Sequence, residues 1–240
     1  MKDGKYLLGM MKPSTEGRGS SGEEMKAMLP PNVSITSAAL GIRDLVASQL
    51  STALSRIEEV AVELASRNVD VITMGGTPPV VFGGYGFDKQ IVERINRVTP
   101  ILATTSQTSA VTAIKLLGAK KIVIVTPFKD HVNQLVIKFM EDSGFIVGSL
   151  QTADAPFSEF PAMPLSLSYD LSLKALKAAP NAQCIYIPCS AWPVSANIAP
   201  LEKETGIPVV ASTQSNVWGA LRLAGIKTPL EGYGRLFSEF

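Results

Sequence analysis

The stretch "CIYIPCSAWP" sets Cys189 just past a short apolar run, with Ser190 behind it and a proline on either side. Much earlier, "VITMGGTPP" has the same shape: an apolar run, then Gly76 and Thr77, and no thiol. A cysteine where a strand gives way to a loop can hand over or take a proton. Free backbone N–H groups beside it, and any nearby helix N-terminus, would favour thiolate and lower its pKa. A buried, inert cysteine is the competing reading, and Cys184, inside the same apolar run, fits that description. Thr77 and Ser190 stand at matching points of the two phrases, each offering a hydroxyl and an N–H. Singly, such residues are turn or cap residues; as a pair beside a cysteine they would cradle a carboxylate. Ser14, Thr15 and Thr126, each after the first strand of its half, are further candidate donors.

The elements that must position these residues alternate between two periods. "YLLGMM", "VSITSAAL", "VDVITMGG" and "PILATTS" read as buried parallel strands. Ile57, Val60, Ala61 and Leu64 fall at helical spacing between the second and third. "FDKQIVERINRV" and "SAVTAIKLLGA" read as helices, the latter closed by Gly118. The second half repeats the order, with "KKIVIVTPF", "FIVGSLQT", "AQCIYIPCS" and "IPVVASTQ" as strands. Strict alternation predicts an α/β protein of parallel sheets covered by helices.

The two halves also match in detail. "TPILATTSQTSAVTAIKLLGAKK" aligns with "IPVVASTQSNVWGALRLAGIKT" through one deletion, pairing Pro100 with Pro208, Gln107 with Gln214 and Gly118 with Gly225. Pro13 and Gly76 are 63 residues apart, and Pro127 and Cys189 are 62. An internal duplication follows: a lobe over residues 1–118 and another over 119–240, with segment 214–240 able to pack on the first. Ligands of parallel α/β sheets sit beyond the carboxyl ends of the strands. Facing lobes would therefore bring Gly76-Thr77 and Cys189-Ser190 to one cleft.

Composition excludes several classes. The 240 residues carry a net charge of +1, with no basic run or aromatic-interleaved basic stripe, so no nucleic-acid partner is expected. No apolar segment approaches a membrane span or a signal peptide, so no membrane partner is expected and the protein reads as cytoplasmic. Two cysteines do not make a disulfide framework, and five positions apart in a strand they cannot bridge. One histidine and no Cys/His cluster argue against a metal site. "FGGYGFD" lacks the context of a dinucleotide fingerprint, and no other cofactor motif is present. "GRGSSGEE" reads as a loop capping the following helix, and His131 as a solvated first-turn residue.

At "LGMMKP", "GT" after the third strand, "VTPFKDHVN", "CS", "IPVVASTQSNVWGALRLAG" and "GYGRLF" the chain resembles a known family. It is similar, over nearly its whole length, to the aspartate/glutamate racemase superfamily, in the arylmalonate decarboxylase and maleate isomerase branch. The resemblance implies two flavodoxin-like (Rossmann-like) lobes related by a pseudo-two-fold axis, with cofactor-free proton chemistry beside a carboxylate in the cleft. It also implies a cysteine in each lobe of the racemases, at the positions of Gly76 and Cys189 here. Glycine cannot move a proton, so two-thiol chemistry is disfavoured.

A single acid suits a decarboxylation: carbon dioxide leaves, an enediolate forms, and Cys189 protonates one face. By the resemblance, Pro13, Ser14, Gly76, Thr77, Pro78, Phe128 and Ser190 are substrate-binding positions around the retained carboxylate, with Thr77 and the Ser190 N–H kept as oxyanion-hole donors and Ser14, the Ser190 hydroxyl or Arg43 as candidates to compensate. Ile42, Leu45, Pro79, Phe157 and Phe160 would line an apolar pocket for the departing one. Three positions depart from the decarboxylase pattern. Pro78 replaces a serine, Phe128 a tyrosine whose hydroxyl serves the oxyanion hole, and Ser190 a glycine. The leading expectation is a cofactor-independent decarboxylase of a disubstituted malonate-type diacid. An isomerase or racemase of a small carboxylate is the alternative, and a non-catalytic carboxylate-binding protein a third. The sequence leaves the oligomeric state open.

Overall fold

The computed structural model describes residues 4–14 and 21–240. Thr15 and residues 17–20 of the expected capping loop lie outside that range. The first half contributes strands β1 (Tyr6–Lys12), β2 (Val33–Ala39), β3 (Val71–Met74) and β4 (Leu102–Thr105). Its helices are α1 (Ser21–Ala27), α2 (Ala47–Ser55), α3 (Ile57–Ser66), α4 (Thr77–Phe82), α5 (Phe87–Val98) and α6 (Ser106–Leu116). The second half supplies β5 (Lys121–Thr126), β6 (Ile146–Thr152), β7 (Cys184–Ile187) and β8 (Val209–Ala211). Between and after these run α7 (Asp130–Asp142), α8 (Leu165–Ala178), α9 (Ile198–Thr205), α10 (Ser212–Leu223) and α11 (Arg235–Glu239).

Two four-stranded sheets result, ordered β2-β1-β3-β4 and β6-β5-β7-β8, every pairing parallel. The two orders are the same order written twice, as the duplication predicts. Val71–Met74 and Cys184–Ile187 are buried throughout, because a central parallel strand is covered on both faces. Ile57, Val60, Ala61 and Leu64 form the buried face of α3, and α5 spans the residues its apolar spacing indicates. The paired glycines Gly118 and Gly225 both follow their helices with positive φ, 74° and 79°.

The two halves are fastened by the helices that follow β4 and β8. α6 packs against α10, so closely that a Cβ on Gly219 would lie 2.1 Å from Ser109 Oγ. α10 lies against β3 and β4 of the first sheet as well as β8 of its own. Fully buried polar side chains cross in both directions. Tyr186 of β7 donates its hydroxyl to Gln107 Oε1 of α6 (2.8 Å), and Thr73 of β3 bonds Asn216 of α10. Of the segment after 214, Tyr233 donates to Ala27 O of α1 (3.1 Å), whereas Arg235 N donates to Glu202 Oε2 of its own half (2.9 Å).

Candidate active site

In each sheet the chain leaves the first strand toward one side and returns on the other. The gap between β1 and β3, and its counterpart between β5 and β7, are therefore topological switch points. A single cavity of about 300 Å³ lies where both open. The end of β1 gives it Lys12, Pro13 and Ser14; the end of β3 gives Gly75, Gly76, Thr77, Pro78 and Pro79. Phe128 comes from beyond β5, and Cys189, Ser190 and Ala191 from beyond β7. Each lobe thus supplies two strand ends to one ligand-sized space.

Cys189 is only 4% exposed yet lines this cavity together with Gly76 and Thr77. The thiol is free, as is that of Cys184, which is sealed inside β7. Burial pushes the Cys189 thiol up to about 12, although the Ala191 and Trp192 N–H groups pull the other way and the Glu24 carboxylate pushes with it. The expectation of a lowered pKa is therefore corrected: the N–H groups are present, but desolvation outweighs them. At neutral pH the group is S–H, the form that can give a proton.

Across the cavity, Gly76 caps the N-terminus of α4 with φ +90°. A Cβ built there would lie 2.3 Å from Pro13 Cγ, so conformation and space both disfavour a side chain. The opposite wall carries no sulfur, and placing one there would strain this backbone. Thr77, Pro78 and Pro79 form the first turn of α4. Prolines fit that turn because their absent N–H groups would have had no intrahelical partner. Of residues 77–79, only Thr77 therefore carries a backbone N–H. Its hydroxyl is buried beside the Tyr186 phenol and closes no hydrogen bond of normal geometry, leaving it open to a ligand.

The other expected residues divide. Leu45, Pro79 and Phe157 line the cavity, as do Pro13, Ser14, Pro78, Phe128 and Ser190. Ile42 does not; it is fully buried in the core. Phe160 stands behind the wall, its ring centroid 5.8 Å from Phe128 and 5.4 Å from Phe157, and borders a neighbouring cavity. Thr126 is not a donor to the site either. Its buried hydroxyl is spent on Asn133 Oδ1 (2.6 Å) and Thr152 Oγ1 (3.3 Å). His131 is exposed at the start of α7, as expected.

Several site residues escaped the sequence reading. Lys12 brings a positive charge to the cavity, and α1 forms a wall with Glu23, Met25 and Lys26. Glu23 and Lys26 pair at 3.1 Å. Only the last residue of an otherwise apolar strand signals Lys12. The loop expected over residues 17–24 is corrected in its second half: Ser21–Glu24 already belong to α1, so the helix begins inside the polar run rather than after it.

A duplicated α/β frame, a shared cleft at both switch points and one thiol facing a glycine come together in this chain. The chain belongs to the arylmalonate decarboxylase family, whose description matches residues 8–237. It is 25% identical to the arylmalonate decarboxylase of Bordetella bronchiseptica over 215 residues, 89% of this chain and 90% of that one. It is 23% identical to the maleate isomerase of Pseudomonas putida over 252 residues, 97% of each. Among solved structures it superposes on a double mutant of arylmalonate decarboxylase (glycine to cysteine, cysteine to serine) in the liganded form. That match has a TM-score of 0.92 at 22% identity, covering 98% of this chain and 100% of the other. The maleate isomerase Iso from Pseudomonas putida S16 superposes with a TM-score of 0.88 at 21% identity, covering 98% of each. These likenesses support an enzyme of this family, a decarboxylase or an isomerase. Among the described residues no helix is long and apolar enough to cross a membrane.

Proposed function

We propose that the protein is a cofactor-independent decarboxylase of a disubstituted malonate-type diacid. One carboxylate of the substrate sits among Thr77, Ser14 and Ser190, and the other against Leu45, Pro79 and Phe157. The apolar side favours loss of carbon dioxide, because a carboxylate there forfeits its hydration. The C–C bond electrons pass into the retained carboxylate as an enediolate. Donors at its oxygens are worth about a hundredfold or more in rate each. Cys189 S–H then gives its proton to the α-carbon from one face, leaving a chiral monoacid and a thiolate that regains a proton from water.

The observation that carries this reading is the asymmetry of the two walls: a protonated thiol at Cys189 against a Gly76 that has no room for a Cβ. The test is incubation with phenylmalonate analogues, following carbon dioxide and the enantiomeric excess of the monoacid. No carbon dioxide from any substituted malonate would remove the proposal.

An isomerase or racemase of a small carboxylate is the second reading, favoured by the maleate isomerases among the relatives. It requires another group to serve where the second thiol is absent. Deuterium from D₂O appearing in recovered, undecarboxylated substrate would favour it over the first. With Pro78 and Phe128 in place of hydroxyl residues, the grip on the carboxylate rests more on Thr77 and Ser190, and the positive charge of Lys12 stands at the same cavity.

A further inference from the structure

The cavity does not account for one charged group beside it. Glu24 sits on α1, between Glu23 and Met25, which line the site. Its own carboxylate turns the other way, toward the loop that follows Cys189. Oε1 accepts the Ser195 N–H at 2.8 Å, joining the first half of the chain to the second. Oε2 is buried beside the Ser195 hydroxyl and the Val194 N–H, which favour its charge without closing a hydrogen bond of normal geometry, and the Trp192 indole N–H of that loop is buried without a partner. A carboxylate taken out of water is costly to keep.

We propose that Glu24 is a positioning residue for Cys189: from the other lobe it clamps the Cys189–Ser195 loop and sets the charge that faces the thiol. The loop is what aims the thiol, since the Ala191 and Trp192 N–H groups point at the sulfur. Four residues beyond Ala191, Ser195 is the point where the loop is anchored. Burial raises the Glu24 carboxyl above its usual range, and its negative charge in turn disfavours thiolate. Among the described residues, the other charged groups on the cavity are Lys12, Lys26 and Glu23. Lys26 and Glu23 pair with each other, and Lys12 is a positive charge opposing Glu24. The arrangement keeps hydrogen on the sulfur until the substrate calls for it, and α1 acts as a wall of the site and as a brace for its acid.

The inference rests on Cys189 as the proton donor, but its test reads the thiol without turnover, so the two can fail separately. Cys189 alkylation by iodoacetamide is followed against pH in the parent, Glu24→Gln, Glu24→Asp and Glu24→Ala proteins. Cys184→Ala is present in all four, to silence the other thiol. Gln keeps an oxygen for the Ser195 N–H and removes only the charge. It should raise the alkylation rate between pH 8 and 10 roughly three- to tenfold over the parent. Asp should restore the parent rate. Ala should be faster than Gln, because the loop is also released. An unchanged rate in both Gln and Ala variants overturns the proposal. A faster rate in Ala alone overturns it too, since that would mark Glu24 as packing only.

Discussion

Replacing Gly76 with alanine tests the forced asymmetry of the cleft directly. Two separate costs apply. At φ +90° an L-residue with a Cβ loses about 1–2 kcal/mol relative to glycine. The new Cβ would also lie 2.3 Å from Pro13 Cγ, well inside contact, and relief of such overpacking typically costs about 1–3 kcal/mol. The sum is about 2–5 kcal/mol, which for a chain of this size lowers Tm by roughly 5–20 °C. Urea unfolding followed by circular dichroism gives the free energy, and Pro13→Ala dissects it. In the double variant the steric part should return while the conformational part stays, giving a coupling of about 1–3 kcal/mol. Gly76→Ala within about 0.5 kcal/mol of the parent would refute the reasoning. So would a full loss with no rescue by Pro13→Ala. A cysteine at the same position bears the same penalty before it can do any chemistry. Any proton exchange it restores must therefore be scored on protein shown to be folded.

Cys189→Ser should leave the circular dichroism spectrum and melting profile close to the parent's while carbon dioxide release falls by at least about a hundredfold; retained turnover would remove the thiol from the mechanism. Burial holds the Cys189 thiol near 12, above its unfolded value, so its alkylation at pH 8 should run on the order of a thousandfold slower than that of a free cysteine, rising steadily to beyond pH 10. The same shift predicts stability that is fully present below the unfolded thiol pKa and lost as pH climbs toward 12, measurable as a falling urea midpoint on the alkaline side. Tyr186→Phe leaves Gln107 Oε1 without its donor in a fully buried seam and should cost about 1–3 kcal/mol by denaturant titration.

The strands were legible because central parallel strands are covered on both faces, so "VITM" and "CIYI" run apolar without interruption. The pairing of Cys189 with Gly76 was legible because duplication puts equivalent strand ends at equivalent spacings. α4 was not foreseen, since Thr77-Pro78-Pro79 reads as a break. Only the placement of both prolines in the first helical turn makes it a start. Glu24 was invisible for a different reason. Its partner Ser195 is 171 positions away, and no local pattern reports a contact made across the two lobes. The direction of the Cys189 shift went wrong because N–H donors are implied by a strand end, whereas desolvation depends on everything packed around it.

The buried side chains of Gln107 and Asn216 bear on how far the halves can move. Prying them apart like a clam would break the Tyr186–Gln107 and Thr73–Asn216 hydrogen bonds and wet a fully buried seam, so the seam itself resists a hinge-like opening. The short helix α1, seven residues long, adds two further ties to the far half, through Glu24 and Tyr233.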